Sequence, residues 1–347
     1  MYLKKLLLAI VLIGLIVAAI ISYNIYTIMF NPNTAFANNE AYIYIPTNAT
    51  YNDARDQLQP LLKNIENFDI LAKQKKYTTN IKAGKYVIKK GMSNNDIINS
   101  IRSNNIPVLL TFNNQERLED LAGRIAMQIE ADSISLIKAM KSPEFLSKHH
   151  YTEATALGMY VPNSYEFFWN TSAEQFCERM QRESENFWNP ERLQKAGAIN
   201  MDRDQVLILA SIVQKETAKA DERPRVAGVY LNRLKVGMPL QADPTVIFAI
   251  KKDTDNFDQT IKRVLYKDLE IDSPYNTYKY AGLPPGLIAM PDISSIEAVL
   301  NPEKHDYYYF VADVKNFGYH KFAKTLSQHN VNRQEYVRWI NQQGVNR

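Results

Sequence analysis

At 347 residues, with 46% apolar and 22% charged residues, the chain can bury a sizeable core and form more than one domain. Its net charge of +4 comes from interspersed acids and bases without a dense basic run, which excludes nucleic-acid binding as its main task. The single cysteine, Cys177, excludes an internal disulfide framework. The five histidines form no HExxH pattern, and neither paired CxxC, EF-hand, Walker, GxGxxG nor GxSxG motifs occur, so no metal or other cofactor is expected.

The first element is an apolar run. Lys4 and Lys5 precede "LLLAIVLIGLIVAAIISYNIYTIMF", and no charged residue occurs from Leu6 to Asn39. Residues 6–30 are long enough to cross a bilayer core of about 30 Å as a helix. The preceding lysines predict that residues 1–5 stay in the cytoplasm and that the bulk of the chain is extracytoplasmic. A cleaved signal peptide is the competing reading, because "AFA" at 35–37 resembles a cleavage site. The apolar run exceeds the roughly 7–15 residues of a signal-peptide core, which favours an uncleaved single-pass anchor.

Residues 31–40, "NPNTAFANN" and the glutamate after it, read as a linker. A strand is expected over 41–46 and helices over 52–62 and 68–75, the first with Asn and Asp as cap candidates. "GKYVIKKGMS" reads as a strand and turn, and Ser93 caps a helix carrying Ile97, Ile98 and Ile101. The strand–helix–helix–strand order predicts a small α+β module over 41–110. "PVLLTF" opens a further strand, and Leu118, Leu121 and Ile125 mark the helix after it. The pattern is then mainly helical to about residue 200, interrupted by "LGMYVPNSYEFFW", and helical again over 202–236. The last third alternates loops rich in Pro, Gly and Tyr with short strands such as "YYYFVAD". No repeat period or low-complexity tract is present.

Within "LASIVQKETA" the residues Leu209, Ile212 and Val213 share one helical face, and Glu216 is the next residue on it. Asp202 and Asp204 are cap candidates for this helix, whose "VLILASIV" is apolar almost all round and predicts an interior element. A carboxyl in a partly apolar pocket has its pKa raised, so it can donate a proton near neutral pH and take one back. The bland alternatives are a solvated acid near a helix end and an ion pair with Arg223. "MPLQADPT" places Gln241 and Asp243 in a Pro-broken loop. "SPYNTYKYAGLPPGLIAMP" and "YVPNSYEFFW" add aromatic faces beside amides and hydroxyls, which suit a sugar chain, although such tyrosines also pack at ordinary surfaces.

The stretch "ASIVQKETAKADERPRVAGVYLNRLKVGMPLQADPTVIFA", followed by "SPYNTYKYAGLPPGLIAMP", "YFVAD" and "LSQHN", resembles the YceG-like family of membrane-anchored endolytic murein transglycosylases. The resemblance covers nearly the whole chain. It implies an α+β protein: a transmembrane helix, a LysM-like module over 41–110 and a mixed α/β YceG-like catalytic domain over 111–347.

By that resemblance the catalytic acid falls on Glu216. Substrate contacts fall on Gln241, Asp243 and Thr245, on Tyr275, Asn276 and Tyr278, and on Tyr160, Tyr165 and Glu166. Gln214 stands where many members carry another acid, which removes a rival carboxylate two positions from Glu216. A lytic transglycosylase needs one carboxyl where an ordinary glycosidase uses two. The implied substrate is the glycan strand of peptidoglycan, and the implied setting is beside wall synthases, the penicillin-binding proteins. A two-carboxylate hydrolase using Asp243 or Glu166 to activate water, and a non-catalytic wall-binding scaffold, stay open at this point.

Overall fold

A computed structural model describes residues 2–342; residue 1 of the expected cytoplasmic tail and residues 343–347 of the expected catalytic domain lie outside the described residues. The chain divides into two compact units. One comprises Met1–Leu110, Ala126–Ala131 and Tyr165–Ser172, and the other Thr111–Ile125, Asp132–Ser164 and Ala173–Arg347.

The first unit begins with α1 (Tyr2–Phe30), a 29-residue apolar helix with no buried residue. At 1.5 Å per residue it is roughly 43 Å long, more than a bilayer core requires. After it come β1 (Glu40–Ile45), α2 (Tyr51–Leu58), α3 (Ile65–Gln74), β2 (Gly84–Lys89) and α4 (Asn94–Ser103). The two strands pair antiparallel from Glu40↔Lys89 to Ile45↔Gly84. Their period-two pattern turns Ile43, Ile45, Tyr86 and Ile88 onto Leu58, Phe68, Leu71, Ile97, Ile98 and Ile101 of the helices. Ser93 caps α4 with Asp96 in a reciprocal capping box, as its sequence suggests. The cap of α2 is Thr50, paired with Asp53, so the helix starts earlier than the Asn and Asp cap candidates imply.

Residues 31–40 are not a free linker. Pro32 bridges to Ser93 and Thr34 to Leu62, with Asn33 N–H donating to Met92 O and Ala35 N–H to Leu61 O. Asn33, only 6% exposed, donates from Nδ2 to Asn64 O (2.8 Å) and to Asn94 Oδ1 (2.6 Å), and its Oδ1 accepts from Asn64 N–H (2.9 Å). Asn94 Nδ2 reaches back to Ile28 O near the end of α1 (2.8 Å). Ile28, Met29 and Phe36 pack against the module's core. A polar segment reads as a spacer from composition; here its amides are consumed in tying α1 down.

Next come β3 (Pro107–Phe112), α5 (Leu118–Ala126), α6 (Ser133–Met140), α7 (Pro143–Lys148) and β4 (Asn163–Phe168). The segment 157–169, expected as an irregular interruption, supplies β4, which pairs with β3. The remaining elements are α8 (Ala173–Phe187), α9 (Pro190–Ala198), α10 (Arg203–Glu216), α11 (Arg223–Lys235), α12 (Asp243–Asp253), α13 (Ile293–Leu300), β5 (Tyr309–Ala312), β6 (His320–Ala323) and α14 (Leu326–Gln342).

In the second unit α10 is the central helix: every residue from Val206 to Val213 is buried, with α11, α12 and α13 packed around it. Asp202, rather than Asp204, caps it in a box with Gln205. The last third is more helical than its Pro, Gly and Tyr content suggests. Pro244 does not break a loop; it occupies the first turn of α12, where its missing N–H has no helical partner to lose. β5 and β6 form an antiparallel hairpin from Tyr309↔Ala323 to Ala312↔His320.

Candidate active site

Glu216 is the last residue of α10. Leu209, Ile212 and Val213, one turn and two turns before it, are completely buried, while Glu216 itself is partly exposed where the helix ends. Its Oε1 accepts a 2.5 Å hydrogen bond from the hydroxyl of Tyr230 on α11. Tyr230 is buried and meets Phe310 of β5 edge-on, with ring centroids 5.9 Å apart. Burial, then the neighbouring Glu216, push the Tyr230 hydroxyl well above its ordinary pKa, so it remains a donor.

Desolvation dominates the Glu216 carboxyl and raises its pKa from 4.5 to about 7. The Tyr230 hydrogen bond opposes the rise, the charge of Asp243 adds to it, and His320 and Arg233 draw it back. The nearby charges are otherwise engaged. Arg223 does not pair with Glu216: its Nη1 holds both carboxylate oxygens of Asp292 at 2.8 Å, and its Nε reaches Thr217 O. Glu222 is buried and takes His320 N–H at 2.7 Å and His320 Nδ1 at 2.8 Å. Arg233, also buried, donates to Tyr308 O and Leu240 O, each at 2.6 Å. The unit therefore presents one carboxyl with a raised pKa at the end of a buried helix, framed by residues of α11 and the β5–β6 hairpin.

The expected contact residues separate into two groups. Tyr278 donates to Asp243 Oδ1 at 2.6 Å, and both lie in the electrostatic field of Glu216. Gln241 is exposed beside them, in a left-handed backbone conformation (φ 49°) held by its N–H to Thr277 O. These three can face a ligand.

Thr245 and Asn276 cannot, because both are completely buried. Thr245 Oγ1 donates to Ala242 O and meets Thr277 Oγ1, fixing the start of α12. Asn276 donates to Leu269 O and Ile271 O and accepts from Tyr278 N–H, so it shapes the loop that carries Tyr278. Tyr275 packs on Phe248 with centroids 4.7 Å apart, and Tyr160 stacks on Phe176 at 6.0 Å with its hydroxyl against Cys177 Sγ; both are core residues. Tyr165 and Glu166 belong to β4 in the first unit, where Glu166 is exposed and Tyr165 partly buried. Gln214 points away from Glu216, its Oε1 accepting from Ser295 Oγ (2.6 Å) and Asp292 N–H. A residue two positions along a helix lies on nearly the opposite side, so an acid at 214 is no rival to Glu216.

Sequence reasoning missed Tyr230, Arg233, Glu222, His320 and Phe310. Only Glu222 carried a readable sign, an acid in the short turn joining two helices.

The YceG-like family model matches residues 43–335, a span that includes every residue around Glu216 named above. The chain belongs to the YceG-like family. Residues 1–42, with α1, precede the matched span. A Bacillus subtilis (strain 168) protein named endolytic murein transglycosylase is 33% identical over 280 residues, which is 76% of this chain and 75% of that protein. A Streptococcus pneumoniae (serotype 2, strain D39) protein of the same name is 29% identical over 333 residues, 87% of this chain but 59% of the longer relative. A YceG-like protein of Listeria monocytogenes, solved by crystallography at 2.6 Å, superposes with a TM-score of 0.56 at 30% identity, covering 85% of this chain and 99% of that one.

Proposed function

We propose that this YceG-like protein is a membrane-anchored endolytic lytic transglycosylase. It cuts the bond between N-acetylmuramic acid and N-acetylglucosamine in newly made peptidoglycan strands, leaves 1,6-anhydro ends and so terminates strand growth. The names of the bacillar and pneumococcal relatives support the reaction class. The observation that carries the mechanism is the Glu216 carboxyl, raised to about 7 and held by Tyr230.

Protonated Glu216 gives its proton to the glycosidic oxygen as that oxygen leaves C1 of the muramic acid. The carboxylate then takes the proton of the same sugar's C6 hydroxyl, whose oxygen bonds to C1. One C–O bond breaks and one forms, the proton returns to Glu216, and no water is consumed. A pKa near neutrality suits both directions of transfer. The Tyr230 hydroxyl steadies the carboxylate between the two steps, and intramolecular attack gains from a high effective concentration. Gln241, Asp243 and Tyr278 are assigned to substrate positioning.

Residues 6–30 are read as the membrane-spanning segment, with the N-terminus cytoplasmic and the Glu216 unit extracytoplasmic. The β1–α2–α3–β2 module is read as LysM-like, on its element order and antiparallel strand pair. Nascent glycan strands, and the penicillin-binding synthases that make them, are the expected partners.

One observation favours a second reading, hydrolysis. The charge of Asp243 is felt by Glu216, as a water-activating second carboxylate would require. Mass spectrometry of the products from purified sacculi and the detergent-solubilised full chain decides between them. Anhydro ends support the lyase; reducing ends support the hydrolase; unaltered sacculi overturn both.

A further inference from the structure

A groove of about 410 Å³ in the second unit begins one residue away from two members of the site. Lys215, next to Glu216 on α10, and Pro244, next to Asp243 on α12, both line it. Pro244, Ile247 and Lys251 follow one another along a single face of α12 and line the groove. Ile261 and Phe257 supply apolar wall, and the Arg117 guanidinium lies over the outer ring of Phe257 at 4.6 Å.

The inner wall is charged in an unbalanced way. Glu116 receives Lys215 Nζ on Oε1 (3.2 Å) and Lys251 Nζ on Oε2 (2.7 Å). Burial works to raise the Glu116 carboxyl, but Lys251 and Lys215 outweigh it and hold its pKa below the usual range. Two ammonium groups thus share one carboxylate. The side chain of Lys251 is only 12% exposed, so its surplus charge is poorly hydrated. Each ammonium spends one N–H on Glu116 and has two more to offer. Asp258, the other acid at the groove, is exposed at the rim and sits in the field of Arg117.

We infer that this groove binds the peptide stem of the substrate strand, with a stem carboxylate seated on Lys251 and Lys215. The inference rests on the lyase reading and deepens it. In peptidoglycan the stem hangs from C3 of muramic acid, two bonds from the C1 at which the chain is cut. A stem on the reacting sugar therefore leaves the ring close to Glu216. Stems carry free carboxylates and small apolar side chains, which match a largely buried Lys251 ammonium and the more exposed Lys215 beside isoleucine, proline and phenylalanine. A charge-assisted hydrogen bond from Lys251 to a stem carboxylate is the specificity element, and a strand stripped of peptide, left with only the lactyl carboxylate at the ring, loses that distal carboxylate.

The test compares detergent-solubilised full-length parent and Lys251→Met on peptide-bearing strands and on strands stripped of peptide by an amidase. Losing one charge-assisted contact predicts about a tenfold fall in kcat/KM on peptide-bearing strands, with rates on stripped strands unchanged to within about twofold. Lys251→Arg keeps the charge and is expected to retain the preference for peptide-bearing strands. An equal loss on both substrates, or no loss on either, overturns the inference. Calorimetric titration with a synthetic stem pentapeptide reads the groove without any bond being cut. Binding by the parent that is lost in Lys251→Met supports the groove, and no binding at millimolar peptide overturns it. A parent that binds the peptide through Lys251 yet cuts neither strand overturns the lyase reading and leaves the groove standing.

Discussion

The hydroxyl of Tyr230 donates to Oε1 of Glu216 at 2.5 Å, joining the end of one buried helix to the middle of the next. With Oε1 occupied as an acceptor, the transferable proton belongs on Oε2. Tyr230→Phe removes a bond that favours the charged carboxyl and leaves the ring packed on Phe310. The Glu216 pKa then rises further, and the alkaline limb of the rate profile moves to higher pH. The rate at the optimum is expected to fall by roughly an order of magnitude, the scale of one hydrogen bond to a charged group. A pH–rate profile identical to the parent's would remove Tyr230 from the mechanism.

Glu216→Gln preserves shape but cannot deliver a proton. Cleavage of sacculi should fall by at least about a thousandfold while the circular dichroism spectrum stays that of the parent. Near-normal turnover would place the acid elsewhere.

Glu216 also makes stability depend on pH. Its folded pKa of about 7 lies above the ordinary 4.5, so the folded protein holds this proton more tightly than the unfolded chain does. The contribution is fully present below the unfolded value and is lost as pH rises through about 7. The loss amounts to up to about 3 kcal/mol, at 1.36 kcal/mol per pKa unit. Between pH 5 and pH 8 the melting temperature of the parent should therefore drop more than that of Glu216→Gln. Parallel melting curves would show that the Glu216 carboxyl is not desolvated.

Asn276→Ala should act on stability before it acts on chemistry. The side chain is completely buried, donating to two carbonyls and accepting one N–H, and its removal strands all three partners. The expected cost is roughly 2–4 kcal/mol in urea unfolding, with residual activity in whatever stays folded. Asp243→Asn, on an exposed residue, should leave stability unchanged and weaken activity. The opposite ranking would mean that Asn276 reaches the substrate after all.

Asn33→Ala tests the strap between α1 and β1. It removes three hydrogen bonds in a nearly buried cluster, for an expected loss of about 2–3 kcal/mol. Limited proteolysis should then cut between residues 31 and 40, where the parent resists. Equal resistance would show that the bridges at Pro32 and Thr34 suffice.

Strong periodic signals were readable in the chain. The charge-free run of α1 from Leu6, the alternation in β1 and β2, the Ser93 cap and the apolar circumference of α10 each follow from local side-chain chemistry. The direction of Glu216 followed from helical spacing alone. What surrounds it did not, because Tyr230 meets it from the next helix, while Phe310, which packs on Tyr230, and His320, which pairs with Glu222, come from the distant hairpin. Composition also misled in one consistent way. Tyr160, Tyr275 and Asn276 look like a sugar-binding surface, and Thr245 joins them by the resemblance, yet all four are buried, and Thr245 and Asn276 satisfy their neighbours' polar groups. The helix α14 escaped notice because none of its residues is buried, so it lacks an apolar stripe.

The asparagine cluster that ties Ile28, Asn33, Asn64 and Asn94 together couples the end of α1 to the β1–β2 module. A lean of the helix is then passed to the module. The charge-free part of α1, residues 6–30, is roughly 38 Å long as a helix, and in a bilayer core of about 30 Å it would accommodate the excess by a tilt that varies with membrane thickness. With α1 spanning a membrane, as proposed above, the lipid composition around it would become a setting of the protein: a thinner bilayer would lay the module over, and a thicker one would stand it upright.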